Sequence, residues 1–339
     1  MQCLLFKQLE EEWDRSSSLS FIADFRICSR SLRMYFDASL TKLTRAFQHL
    51  KIEKSADPPD FTIFLWDATT GKKRLPPIDW AYFMQTADFK TKEGPVYFHW
   101  LDSIEALSLI HMQKNKAFYL VRDAKNLPWW VEGCPLQTIV HAWLQERGLQ
   151  LTHTAAIGDE TGALLLTGKG GSGKSTTALS CLKGGLNYIG EDHAVLDLAP
   201  VSINGAPKVW SIYQSAKWKP FTRTLFPDYE THIVNPTSAD FEKALVFYDA
   251  LFPSQIRDSL PIRAIVSLSV GQERAPKLNS VDASFAVQQL MLSTLQQLPF
   301  CGPHTVAFFK KIGASTKHYH LVLGRNLEEN VEQLKVLLT

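Results

Sequence analysis

The stretch ALLLTGKGGSGKSTTALSCLK, residues 163–183, decides how the second half of the chain is read. Ala163–Thr167 has the length and apolar character of a buried strand, and Thr176–Lys183 has helical character up to the stop at Gly184-Gly185. Between them, Gly168-Lys169-Gly170-Gly171-Ser172-Gly173-Lys174-Ser175 fits the pattern GxxxxGK[ST], with the strand and helix that this pattern requires on either side. The glycines let the backbone turn so that successive N–H groups point inward, and the positive end of the helix adds to the concavity. Triphosphate oxygens suit such a cradle. The expected nucleotide contacts are therefore Gly168, Lys169, Gly170, Gly171, Ser172, Gly173, Lys174, Ser175 and Thr176. Lys174 would meet the β and γ phosphates, and the Ser175 hydroxyl a bridging Mg2+. The loop alone does not say whether the phosphate passes to water, a metabolite or a protein.

Downstream, the chain returns as a short strand at Asn187–Ile189, and Glu191-Asp192 stand just beyond it, which carries them toward the phosphate end of a sheet. A hard Mg2+ ion needs oxygen ligands besides Ser175, and Glu191 is the expected one. Asp192 is expected to orient an incoming hydroxyl and accept its proton. Upstream, His153 ends LQLTH (149–153), just before a strand at Thr154–Ile157. Two readings of it stand: an imidazole that bonds the transferring oxygens or orients Asp192, or a satisfied core histidine. His193 reads as structural, pointing away from the acidic pair if the strand continues. Lys217 is a weaker candidate for contact with phosphate or acceptor, and reads more simply as a solvated lysine.

Outward from this region, 339 residues suggest two domains at about 100–200 residues each. The first half is β-rich: Leu19–Ile27, Leu32–Phe36, Phe61–Trp66 and Val96–Trp100 look extended, and Ser39–Leu50 carries apolar residues at helical spacing. The proline- and tryptophan-rich NLPWWVEGCP (126–135) suits a junction, which divides the chain into 1–130 and 131–339 and gives the apolar helix after Pro135 to the second domain. His141 in that helix reads as structural. Later strands are expected at Lys243–Tyr248, Ile262–Val270 and His318–Leu323, and helices at Asp282–Leu298 and at Leu327–Leu338, the last capped by Asn326.

A formal charge of +2 is too small for a dedicated nucleic-acid binder. Five scattered cysteines with no CxxC pair indicate neither a disulfide framework nor a zinc cage. The N-terminus lacks the basic start of a secretory signal, and no apolar run reaches about 18 residues. The expectation is a cytoplasmic protein with no membrane partner.

His153, the glycine-rich loop at Gly168–Ser175 and Glu191-Asp192, at these intervals, resemble the HPr kinase/phosphorylase family and its kinase-like relatives. Tyr188-Ile189-Gly190-Glu191-Asp192-His193 is also similar to the nucleotide-binding part of phosphoenolpyruvate carboxykinase. The resemblance covers about Val131–Thr339. It implies an α/β fold, with a P-loop, PEP carboxykinase/HPr kinase-like C-terminal domain and a smaller β-rich α+β N-terminal domain. It also implies ATP- and Mg2+-dependent transfer of the γ-phosphate to a serine hydroxyl. The chain has Glu-Asp where that family has Asp-Asp, and Trp210–Lys219 where it has a glycine-rich segment. Ile212–Lys217 and Ser293–Pro299 look more like divergent relatives, some of which phosphorylate a serine on ribosomally made peptides such as lasso peptides. The N-terminal module also resembles that group, with acceptor recognition as its implied role. The expected partners are ATP and a peptide, protein or small-molecule hydroxyl acceptor, and a homo-oligomer stays open. Three other readings remain: a nucleotide-sensing module without phosphotransfer, a kinase of a small hydroxylated metabolite, and carboxykinase-like chemistry, the last weakened by the lack of a dicarboxylate-binding cluster.

Overall fold

The computed structural model describes residues 2–16, 21–70, 89–199, 205–236 and 243–339. The chain is a mixed α/β protein in two compact units, Met1–Glu146 and Arg147–Thr339, each built on a sheet containing both parallel and antiparallel pairs.

In the first unit the strands are β1 (Phe21–Ile27), β2 (Arg30–Phe36), β3 (Lys51–Ile52), β4 (Phe61–Asp67), β5 (Phe89–Glu93), β6 (Val96–Leu101), β7 (Ala106–His111) and β8 (Lys116–Val121). Among the described residues they form one sheet in the order β3-β1-β2-β4-β8-β7-β6-β5. Alternation decides which side chains enter the core: Leu32, Met34 and Phe36 are buried along β2 while Arg33 and Tyr35 between them are less so. One face is covered by the helix Gln2–Ser16, whose Phe6, Leu9 and Trp13 pack against Phe64, Trp66, Phe98 and Phe118. On the other, the Trp143 indole of helix Gln137–Gln145 stacks on Phe61 with ring centres 5.1 Å apart.

That stacking explains a difference from the sequence reading. The apolar stripe of Gln137–Gln145 belongs to the first sheet, so the division falls after this helix rather than at 130/131. A second difference concerns Ser39–Leu50, which forms a 3-10 helix over Ala38–Leu50. Its buried Leu40, Leu43 and Ala46 recur every third residue, which is the 3-10 period.

The second unit contains β9 (Leu149–Thr152), β10 (Ala155–Asp159), β11 (Gly162–Thr167), β12 (Asn187–Gly190), β13 (Ala194–Asp197), β14 (Lys208–Trp210), β15 (Ser215–Trp218), β16 (Ala244–Phe247), β17 (Ser259–Val270), β18 (Lys277–Ser280) and β19 (Lys317–Leu323). The main sheet runs β12-β10-β11-β17-β14-β13-β9, with β19 also paired to β17 and β18 to β19, while β15 and β16 form a separate pair. The long β17 is the axis, parallel to β11 on one side and to β19 on the other. The C-terminal ends of these three strands therefore point the same way, where open α/β sheets gather their ligands.

Helices cover both faces of this sheet, which is why β11 is buried along its whole length and reads as a continuous apolar run. On one face Ala178 and Cys181 of helix Lys174–Lys183 and Val331 and Leu334 of helix Leu327–Lys335 pack on Leu164, Leu166, Val266 and Leu321. On the other, Ala286, Val287 and Leu290 of helix Ala283–Leu295 and Phe309 and Ile312 of helix Pro303–Ala314 pack on Leu165, Ile262 and Ile265. The helix Pro303–Ala314 has no counterpart in the sequence reading. Asn326 caps the last helix as expected, accepting from the Glu328 and Glu329 N–H groups. No helix among the described residues is long and apolar enough to cross a membrane.

Candidate active site

The glycine-rich loop leaves the C-terminal end of β11 and enters helix Lys174–Lys183 with Gly173 as its N-cap at φ 96°. The backbone angle calls for glycine there, and a Cβ would in addition stand 2.4 Å from the Leu323 Cδ1 atom, which would have to shift. The helix begins at Lys174, two residues earlier than the sequence suggests. Gly170 is open on its Cβ side, and a Cβ at Gly171 would lie 3.5 Å from the Lys219 ammonium.

A cavity of about 930 Å³ opens against this loop, within the size range of small-molecule sites. It brings together Lys169, Gly170, Gly171, Gly173, Lys174, Ser175 and Thr176 with Glu191, Asp192, His153 and Lys217. Gly168 and Ser172 are not part of its lining. Ser172 is buried, with its hydroxyl turned toward Gly168. The Thr176 hydroxyl bonds Thr222 at 2.8 Å.

Lys174 is buried and donates to the Gly168 carbonyl at 2.6 Å. Burial lowers its ammonium pKa below the usual lysine value, Asp192 and Glu191 opposing and Lys243 and Lys219 reinforcing the shift. Glu191 is 2% exposed and accepts from the Tyr248 hydroxyl at 2.6 Å. Burial pushes its carboxyl up to about 7, against the hydrogen bonds from Tyr248 and Ser175. The Ser175 hydroxyl and the Glu191 carboxylate are thus neighbours. Two adjoining hard oxygen donors beside a phosphate-sized cradle fit Mg2+ chemistry.

The raised Glu191 carboxyl has a testable consequence. In metal-free buffer the folded protein keeps a proton up to about pH 7 that the unfolded chain releases from about 4.5 upward. The stability this confers is complete at low pH and is lost as pH rises through about 7, by roughly 2–4 kcal/mol in all. Glu191→Gln is neutral throughout and has no such slope. Denaturant unfolding should find the variant gaining on the parent from about pH 5 to about pH 8; parallel stability curves would contradict this account.

Asp192 lies at the meeting point of three cationic or protonatable groups. Lys217 Nζ is 2.8 Å from Oδ2, His153 Nε2 is 3.3 Å from Oδ1, and His193 Nδ1 is 3.8 Å from Oδ2. Burial alone would raise the carboxyl, but Lys217, the His153 hydrogen bond and His193 outweigh it and hold the pKa well below the usual aspartate value. Two sequence expectations change here. Lys217 is not a solvated lysine: β15 turns it inward onto Asp192. His193 does not point away, because β13 starts only at Ala194 and the preceding turn keeps His193 beside Asp192. His153 stands beside Asp192, and its Nδ1 faces Ser293 of the helix Ala283–Leu295 and Gln297 in the turn after it.

Several cavity residues have no signal in the sequence. Lys219, Lys243 and Arg325 add positive charge, and Phe221, Leu225, Val270 and Leu292 add exposed apolar surface to the same lining. Tyr248 reaches Glu191 across 57 positions and Ser293 reaches His153 across 140. No periodicity or motif ties such residues together; only the strand order does.

No family model matches the chain, and no curated protein matches it. Among solved structures it is similar to the HPr(Ser) kinase/phosphatase from Coxiella burnetii, with 9% sequence identity and a TM-score of 0.30, over 55% of this chain and 93% of that one. At that TM-score the likeness is too distant to carry a functional argument.

Proposed function

We propose that the second unit binds ATP with Mg2+ and transfers the terminal phosphoryl group to a hydroxyl, that of a serine in a peptide or protein, as an HPr kinase-like serine kinase does. In this reading the loop N–H groups and Lys174 hold the phosphates, Ser175 and Glu191 hold the metal, and Asp192, oriented by His153, receives the hydroxyl proton. Bound Mg2+ would neutralise charge on the phosphate oxygens. The observation that supports the reading is the single cavity shared by the loop, the Ser175–Glu191 pair and the His153–Asp192 pair. Lys219 and Lys243 add positive charge for a polyanionic ligand. The first unit is assigned acceptor recognition.

A second reading, nucleotide sensing without transfer, draws on the Lys217–Asp192 ion pair, which ties up the proposed base. One experiment separates the two. The protein is incubated with ATP, Mg2+ and peptide pools or cell extract, and acceptors are searched by mass spectrometry for a one-phosphoryl gain. Transfer supports the kinase. ATP binding that only alters affinity for a partner supports the sensor.

A further inference from the structure

Ser293 sits on the helix Ala283–Leu295, next to the buried stripe of Ala286, Val287, Leu290 and Thr294 that packs the helix on the sheet. It is half-buried and lines the same cavity as Lys174 and Asp192. Its position against His153 is fixed twice by neighbouring bonds: the His153 N–H donates to Thr294 Oγ1 at 3.2 Å, and Thr294 in turn donates to the Leu290 carbonyl at 3.0 Å. The Ser293 hydroxyl is hydrogen-bonded to His153 Nδ1, and the Gln297 amide nitrogen is 3.1 Å from the same atom.

The proton positions along this chain follow from charge. Asp192, held by Lys217 at 2.8 Å, is a carboxylate and can only accept, so the His153 Nε2 atom at 3.3 Å from it carries the hydrogen. In that tautomer Nδ1 presents its one lone pair toward the Ser293 hydroxyl and the Gln297 amide, and the single Ser293 hydrogen has a second acceptor in the His153 carbonyl at 3.3 Å. Ser293, His153 and Asp192 thus stand as nucleophile, base and orienting carboxylate, the order that activates a serine for group transfer. The cations lining the cavity, Lys174, Lys219, Lys243 and Arg325, suit a phosphoryl donor.

We propose that Ser293 is a phosphoryl acceptor within its own cavity, so that the protein modifies itself there when supplied with Mg·ATP. The inference rests on the ATP-binding reading above. In the step, Ser293 Oγ forms a bond to the γ-phosphorus as the bond from that phosphorus to the β–γ bridging oxygen breaks. The hydroxyl proton passes to His153 Nδ1, and ADP leaves with the electron pair. No other reactant is required.

The test uses the full chain with Mg·ATP and no added acceptor, followed by intact-mass measurement and peptide mapping, with ATP binding measured separately by calorimetry. The expected result is one phosphoryl group per chain on Ser293, absent from Ser293→Ala and slowed at limiting ATP in Lys174→Ala, at a first-order rate independent of protein concentration. His153→Gln should slow the modification by about 100-fold or more. ATP that binds while Ser293 stays unmodified overturns the proposal and leaves the ATP-binding reading standing; Ser293 is then a brace for the imidazole. Phosphate on another residue, or a rate that rises with protein concentration, overturns it as well. Absence of ATP binding overturns both readings together.

Discussion

Asp192→Asn is expected to leave ATP binding within a few-fold of the parent and to reduce phosphoryl transfer by about 100- to 10,000-fold, the usual contribution of a positioned proton acceptor. In the proposed reading the phosphates are held by the loop and Lys174, which the change does not touch. What is lost is the anion that anchors Lys217 and His153 and is proposed to accept the hydroxyl proton. Lys217 is 14% exposed and would be left beside a neutral amide, so the variant should also unfold more easily than the parent. Steady-state transfer, calorimetric ATP binding and denaturant unfolding measured on one preparation separate these effects. Unchanged transfer removes Asp192 from the mechanism.

Lys174→Ala should act on the other quantity. An ammonium bonded to phosphate through charge-assisted contacts contributes about 1.5–3 kcal/mol, so ATP affinity should fall by about 10- to 100-fold, and transfer at limiting ATP should fall with it or further. The fold should tolerate the change. Lys174 is a buried cation with its pKa lowered mainly by desolvation, and it bonds only a loop carbonyl at 2.6 Å in the described contacts. Removing it relieves the desolvation cost that disfavours its charge. A variant that binds ATP as the parent does would place the triphosphate away from the glycine-rich loop.

The sequence makes the cradle legible because its demand falls on the backbone: a positive φ at Gly171 and Gly173 favours glycine at both. Glu191 and Asp192 are legible from the short strand before them, since β12 runs over Asn187–Gly190 and delivers them to the loop's end of the sheet. What surrounds that centre is not. Lys217 looks like any surface lysine until β15 turns it onto Asp192. Ser293 and Gln297 become partners of His153 only when the helix Ala283–Leu295 and the turn after it are packed on the sheet. Trp143 belongs to the first unit because Phe61 lies opposite it, and a sequence does not carry that information in its periodicity.

The central claim is that the loop, Lys174 and the acidic pair converge on one terminal phosphate. A crystal structure of the protein with Mg2+ and a non-hydrolysable ATP analogue tests it most directly. The expected result is a metal between Ser175 and Glu191 and a γ-phosphate held by Lys174, with one face turned to Asp192. A nucleotide bound with its phosphates away from Lys174, or a metal with neither Ser175 nor Glu191 among its ligands, would contradict it.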